Sequence, residues 1–338
     1  VAAPPRILIV GPSWLGDAVM MGALVQRLKA RAPAPAITVL APAHLRDLMA
    51  RMPGVDATLD NPFAHGALRL ADRWRLARDL AGRFDQAIVL PNSFKSALIP
   101  VFAGVPTRTG FVGEARQVLL NDARRLNGQR LPRMVDRFCL LAEPPGVESP
   151  TAPPPPRLTV SAAATAGARA ALGLDDRPAV ALCVGAEYGP AKRWPVRHFA
   201  ALAQRLAGEG LAVWLLGSAA DAPIGAEIET LAPGAAANLV GRTSLGQAID
   251  LIAGAAGVVS NDSGLMHVAA ALDRPLVALY GSTSPAFTPP LSPRAAILSE
   301  DVPCSPCFER ECPLGHFKCL NDLASERVAA TLARQMAI

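Results

Sequence analysis

Gly257-Val258-Val259-Ser260-Asn261-Asp262-Ser263-Gly264-Leu265-Met266-His267-Val268-Ala269-Ala270-Ala271-Leu272 is the stretch whose reading decides the fold. A short apolar run passes through polar and glycine residues into a run of helical character, the pattern of a buried strand turning into a helix. In an open α/β sheet, that turn at the carboxyl end of a strand is where anionic ligands bind. The segment also reads as an ordinary turn, in which Asp262 or Ser263 caps the helix and Gly264 permits the bend. A second apolar run, Pro275-Leu276-Val277-Ala278-Leu279-Tyr280, follows closely and ends in Gly281-Ser282-Thr283. Two polar strand ends side by side form one ligand-sized crevice, which tips the reading toward a binding site.

The same alternation runs along the whole chain. Strands are expected at Ile7 to Val10, Ile37 to Leu40 and Ala87 to Leu90, then at Ala179 to Val184, Leu211 to Leu216, Val258 to Ser260 and Leu276 to Tyr280. Helical spacing joins Met20, Leu24 and Leu28, and recurs over Pro195 to Gly208, Leu245 to Ala253 and Leu265 to Leu272. Alternating strands and helices predict an α/β protein with parallel, doubly wound sheets. A chain of 338 residues exceeds what one core usually serves, so two domains are expected. Seven of the thirteen residues from Pro144 to Pro156 are proline, which neither a helix nor a central strand tolerates. This spacer divides residues 1–150 from residues 151–338, two Rossmann-like halves expected to face a central cleft.

With 51% hydrophobic and 18% charged residues the chain can bury sizeable cores and is not disordered. An aromatic content of 5% argues against a nucleic-acid module built on stacking, and no nucleic-acid partner is expected. No apolar run approaches the ~18 residues of a membrane span, and no cleavage pattern follows Ile7 to Val10, so a cytoplasmic protein is expected. Residues 1–150 hold 19 Lys+Arg against 12 Asp+Glu, a net of +7, while residues 151–338 hold 14 against 16, a net of −2. A general preference for arginine would enrich both halves alike. The basic first half therefore suits an anionic partner or a phosphate-bearing membrane surface.

The loop Gly11-Pro12-Ser13-Trp14-Leu15-Gly16-Asp17 occupies the position of a dinucleotide fingerprint but lacks its glycine spacing, and no P-loop occurs anywhere. Asp17 reads either as a helix N-cap or as a general base that deprotonates an incoming hydroxyl. A helix N-terminus favours the charged carboxylate, which opposes strong basicity, so a base here needs partial burial to offset that effect or relies on proximity for most of its benefit. Lys192 lies between a buried strand and a helix, either as a solvated loop charge or as the cation that stabilises a departing diphosphate. No Asp-x-Asp pair is present to carry a divalent ion, so a lysine in its place is consistent. Ser218 and Asp221 follow another strand and read equally as a ribose contact or a helix cap. His267 is either a packed helix residue or a ligand contact.

Cys304, Cys307, Cys312 and Cys319 cluster with His316 among them, but zinc ribbons usually present two close pairs, so the spacing matches only in part. A structural metal, a disulfide and free thiols packing a loop remain as readings, with the metal not favoured and no cofactor expected. Cys139 and Cys183 lie in apolar runs and read as core.

Taken together, the Gly-Pro-Ser-Trp-Leu-Gly-Asp loop, the Asn-Asp-Ser-Gly-Leu-Met-His loop, Tyr280-Gly281-Ser282-Thr283-Ser284-Pro285 and the Cys-x-x-Cys-x-x-x-x-Cys-Pro-x-Gly-His segment resemble the bacterial ADP-heptose:lipopolysaccharide heptosyltransferases. The likeness covers nearly the whole chain and is nearest to members that add the second inner-core heptose. It implies a GT-B fold, an acceptor-binding N-terminal domain and a C-terminal domain for ADP-heptose. It further implies an inverting, metal-independent transfer to an anionic lipid-linked core oligosaccharide at the inner face of the cytoplasmic membrane. Carried over residue by residue, the base falls on Asp17, the phosphate-binding lysine on Lys192, and the donor loop on Asp262, Ser263, Gly264 and His267. Some relatives carry threonine where Ser263 stands, and serine keeps the hydroxyl. The competing readings are a nucleotide-sugar epimerase or hydrolase, and a non-catalytic nucleotide- or lipid-binding protein.

Overall fold

The structure, a computed structural model, describes residues 3–63 and 66–337. The chain divides into two compact units, Val1–Arg157 and Leu158–Ile338. In the first, strands β1 (Arg6–Val10), β2 (Ala36–Ala41), β3 (Ala57–Asp60), β4 (Gln86–Val89), β5 (Thr107–Phe111) and β6 (Asp122–Arg124) form one parallel sheet in the order β3-β2-β1-β4-β5-β6. Val10 pairs with Leu40 on one side and Val89 on the other, so β1 is central and buried on both faces. That is why Ile7 to Val10 reads as an unbroken apolar run rather than an alternating one. The strand order reverses between β1 and β4, which opens a crevice at their carboxyl ends.

The helix Leu15–Lys29 buries residues on most of its circumference, among them Met20, Met21, Leu24 and Leu28, and packs against the helix Met134–Leu140. The proline-rich segment is strapped to this helix: Gln26 Nε2 donates to the Pro155 carbonyl at 2.9 Å and Arg27 Nη1 to the Thr151 carbonyl at 3.1 Å. Its prolines have carbonyls but no backbone N–H, so side-chain donors on the helix supply the partners.

The second unit repeats the plan. Strands β7 (Ala179–Cys183), β8 (Ala212–Leu216), β9 (Ala237–Asn238), β10 (Gly257–Asn261), β11 (Leu276–Leu279) and β12 (Ala295–Leu298) lie in the order β12-β11-β10-β7-β8-β9, all parallel. Counted from β7 this is the order of the first sheet, with the reversal between β7 and β10. One face of the sheet packs Val180, Leu182, Val213, Leu215 and Val259 against Trp194, Phe199 and Leu202. Trp194 meets Phe199 edge-on at 4.8 Å, and its Nε1 donates to the Leu323 carbonyl at 2.9 Å, so its one polar atom is satisfied in the core.

The seven expected strands all occur, with no end displaced by more than one residue, and the helices Val196–Gly208, Leu245–Ala253 and Gly264–Ala271 stand where the spacing put them. Five strands, β3, β5, β6, β9 and β12, were not expected. They lie in the outer parts of the sheets; β3, β5, β6 and β9 carry polar residues and β12, Ala-Ala-Ile-Leu, is only partly buried, so they lack the buried run that marks β1 or β10.

Candidate functional site

In the second unit the candidate residues gather at the reversal point, beyond the ends of β7 and β10. The chain leaving β7 is held close: a Cβ at Gly185 would collide with Asp221 Oδ2, and Gly189, at φ +155°, would drive one into the Arg310 carbonyl oxygen. Only glycine fits these approaches. The turn Pro190–Lys192 follows and delivers Lys192, whose Nζ donates to Asp262 Oδ2 at 2.6 Å with the side chains 14% and 4% exposed. The reading of Lys192 as a solvated charge therefore does not describe it. Thr283 Oγ1, beyond the end of β11, donates to the same carboxylate oxygen at 2.5 Å. The Tyr188 ring centroid lies 4.9 Å from Nζ. An ammonium carries three donors, and Asp262 takes one.

Asp262 continues the ladder through its N–H to the Leu279 carbonyl at 3.0 Å, and its side chain turns to Lys192. Ser263 occupies the cap position of the helix Gly264–Ala271 in extended conformation but makes no side-chain capping bond. The first-turn N–H groups of that helix are thus left without a side-chain cap, the arrangement that receives an anion. His267, one turn in, is buried, and burial pushes its imidazole down to about 4, opposed by Asp262 and reinforced by Lys192. It is neutral near pH 7 and suited to hydrogen bonding rather than to carrying charge.

Asn261 belongs to the stretch that the sequence singles out, but has no role of its own in the sequence reading. It is 0% exposed, its Oδ1 accepts from the Trp194 N–H at 3.0 Å, and its Nδ2 donates to the Val184 carbonyl at 2.8 Å. It joins the loop just after Lys192 to the end of β7. An amide at the end of a buried strand is the signal that marks it. Ser218 takes up the capping alternative: its hydroxyl and N–H both donate to Asp221 Oδ2, at 2.6 and 3.0 Å, while Asp221 approaches Arg193 at 3.6 Å.

In the first unit Asp17 is not the N-cap; Trp14 holds that position without a side-chain capping bond, and Asp17 lies in the first turn. Asp17 lines a cavity of about 240 Å³ with Ser13, Trp14, Asn92, Phe111 and Phe138, at the ends of β1, β4 and β5. A second cavity of about 710 Å³ also borders Ser13 and Asn92 and adds Asn61, Arg73 and Lys95. Some of the arginines here are structural, Arg73, Arg116 and Arg124 being buried. Arg116 is 0% exposed and donates to the carbonyls of Phe111 and Pro91 and to Asn92 Oδ1, tying together the ends of β4 and β5. Burial pushes its guanidinium down to about 10, which still leaves it charged at neutral pH. Arg73 Nε, Nη1 and Nη2 donate to the carbonyls of Leu68, Lys95 and Ala67.

Comparison with known proteins gives the family. Residues 73–318 match the family described as glycosyltransferase family 9 (heptosyltransferase). The chain is 46% identical over 338 residues to lipopolysaccharide heptosyltransferase 2 of Salmonella typhimurium, an alignment covering 97% of each chain. It is 48% identical over 306 residues to lipooligosaccharide heptosyltransferase 2 of Haemophilus influenzae, covering 87% of this chain and 88% of that one. Among solved structures it superposes on the ADP-heptose lps heptosyltransferase II of E. coli with a TM-score of 0.90 at 42% identity, covering 98% of both.

Proposed function

The chain belongs to glycosyltransferase family 9, the heptosyltransferases, and from that premise we propose that it transfers L-glycero-D-manno-heptose from ADP-heptose to the heptose/Kdo inner core of lipopolysaccharide, as the second heptose. Identity of 46% and 48% across most of the chain to two enzymes named heptosyltransferase 2 supports both the reaction and the step. The transfer proceeds with inversion and needs no catalytic metal.

The observation that carries this reading is the buried pair of Lys192 and Asp262 beside an uncapped helix N-terminus. A lysine held by one carboxylate oxygen keeps its remaining donors for the diphosphate of ADP-heptose, and the first-turn N–H groups of the helix Gly264–Ala271 add to the same field. As the bond from the anomeric carbon to the diphosphate oxygen breaks, negative charge accumulates on the leaving ADP, and these donors stabilise it. The acceptor hydroxyl oxygen attacks the anomeric carbon from the opposite face and passes its proton to Asp17. Neutral His267 and the free oxygen of Asp262 orient heptose hydroxyls, and Ser218 with Asp221 borders the ribose. The cavities beside Asp17 hold the anionic acceptor sugar.

No helix among the described residues is long and apolar enough to cross a membrane. The lipid-linked acceptor is met by peripheral contact at the inner face of the cytoplasmic membrane, where the +7 first half favours anionic headgroups. Mass spectrometry of products made by the purified protein from ADP-heptose and defined truncated cores tests the whole reading. One heptose added to a core that already carries one is expected. Free heptose or an isomerised donor formed without acceptor would contradict it.

A further inference from the structure

Residues 304–319 do something the spacing of their cysteines does not reveal. Cys304, Cys307, Cys312 and Cys319 all line one cavity of about 20 Å³, together with Ala191 and Ser282, the neighbours of Lys192 and Thr283. That volume suits a single ion or water molecule. The segment contributes little apolar packing of its own, with Phe308 and Leu314 51% and 62% exposed. It nevertheless braces the donor loops. Ser305 Oγ donates to the Gly281 carbonyl at 2.7 Å, Phe308 N–H to the Ser282 carbonyl at 2.7 Å, and Arg310 Nε to the Tyr188 carbonyl at 2.7 Å. In return the Ala191 N–H donates to the Arg310 carbonyl at 3.0 Å and the Tyr188 hydroxyl to the Phe308 carbonyl at 2.5 Å. A brace of this length without a core of its own needs a staple.

We propose that Cys304, Cys307, Cys312 and Cys319 bind one divalent transition metal, zinc or ferrous iron, as a tetrathiolate site that staples this segment to the loops carrying Lys192 and Thr283. Four sulfur ligands select soft, tetrahedral metals of this kind. Cys312 is held in place within this lining, since its Sγ accepts the Phe317 N–H at 3.4 Å. The Cys312-Pro313-Leu314-Gly315 turn closes with Gly315 at φ +68°, a conformation suited to glycine. Gathered thiolates repel one another, and a bound cation reverses that effect. His316 is not in the set, because its Nδ1 accepts the Lys318 N–H at 3.0 Å within the loop. Among the described residues no three of these side chains already stand in metal-holding geometry, so binding requires the sulfurs to draw inward around the ion.

Elemental analysis of the full chain, reconstituted with zinc or with ferrous iron under reducing conditions and then desalted, tests the site. About one equivalent per chain is expected, and the analysis itself identifies the metal. The paired variant Cys312→Ser with Cys319→Ser should lose it, whereas Cys139→Ala, altered in the first unit, should retain it. Absence of bound metal after both reconstitutions, undiminished metal in the paired variant, or disulfides linking the four cysteines would overturn the proposal. The stapling role rests on the donor-site reading and has its own readout: removal of the metal by a chelator should weaken ADP binding by about tenfold, a loss of the order seen when support for a site is removed. Unchanged ADP binding would overturn the stapling role alone, and failure of the metal-loaded chain to bind ADP would instead count against the donor site.

Discussion

The two units share one strand order and one reversal point, yet they furnish that point in opposite ways. In the first, the ends of β1 and β4 border two cavities of about 240 and 710 Å³, with Asp17 on the wall of the smaller. In the second, the ends of β7 and β10 are drawn together by Asn261 and by the Lys192–Asp262 pair, and a strap running from Cys304 to Cys319 joins the loops that follow β7 and β11. The strand order fixes where a ligand sits, and the loops fix which ligand. On the proposed reading, room and the carboxylate of Asp17 suit a large acceptor sugar that must be deprotonated. A rigid cation beside a helix N-terminus suits a small, invariant diphosphate.

The largest expected effect breaks the first half of this contrast. Asp17→Ala should lower the rate of transfer by about 10²- to 10⁴-fold, the range for removal of a positioned base. Steady-state turnover with saturating ADP-heptose and acceptor measures it, and full turnover would remove Asp17 from the chemistry.

Next in size is the pair that defines the second unit. Asp262→Ala leaves the buried ammonium of Lys192 without its counter-charge and should cost about 3 to 5 kcal/mol of stability. Urea denaturation reads it, and a loss below ~1 kcal/mol would mean the pair behaves as a surface ion pair. Trp194→Ala should cost a similar ~3 to 5 kcal/mol through the cavity left behind.

His267 sharpens the contrast through pH. Its folded value of about 4 lies below its ordinary 6.5, so between the two the unfolded chain binds a proton that the folded chain refuses. Stability is therefore full above pH 6.5 and falls as the pH drops toward 4, by on the order of 3 kcal/mol. Urea midpoints followed from pH 7 to 4 test this, and His267→Gln should flatten that part of the profile. An unchanged profile would show that His267 does not set it.

The smallest effect concerns the scaffold. Asn261→Ala should cost about 1 to 3 kcal/mol by leaving the Trp194 N–H and the Val184 carbonyl without their partner. It should raise KM for ADP-heptose more than it lowers kcat, because Asn261 places the loop and does not touch the reacting atoms.

The central strands were legible because burial on both faces writes them as apolar runs, and the reversal-point loops were legible because polar residues interrupt those runs. The helix Phe94–Phe102 was not, since Pro100 lies inside it and its apolar residues carry no clear period. Nor was the role of Arg116 or Arg73: a buried arginine bonded to carbonyls looks in sequence like any surface arginine. Asp17 and Ser218 show the limit from both sides. Each was open to a capping reading, and the fold places Asp17 inside the first turn beside a cavity while it locks Ser218 into hydrogen bonds with Asp221. Spacing alone did not distinguish them, because a cap and a ligand contact ask for the same residue types in the same place.

Calorimetric titration of ADP into Lys192→Met and Asp17→Ala, beside the unaltered chain, tests the division of labour most directly. Lys192→Met should bind ADP at least about tenfold more weakly, the loss of one charge-assisted contact, while Asp17→Ala should bind it as the unaltered chain does. Equal affinity in Lys192→Met, or a loss in Asp17→Ala as large as that in Lys192→Met, would contradict the assignment of the diphosphate to the second unit.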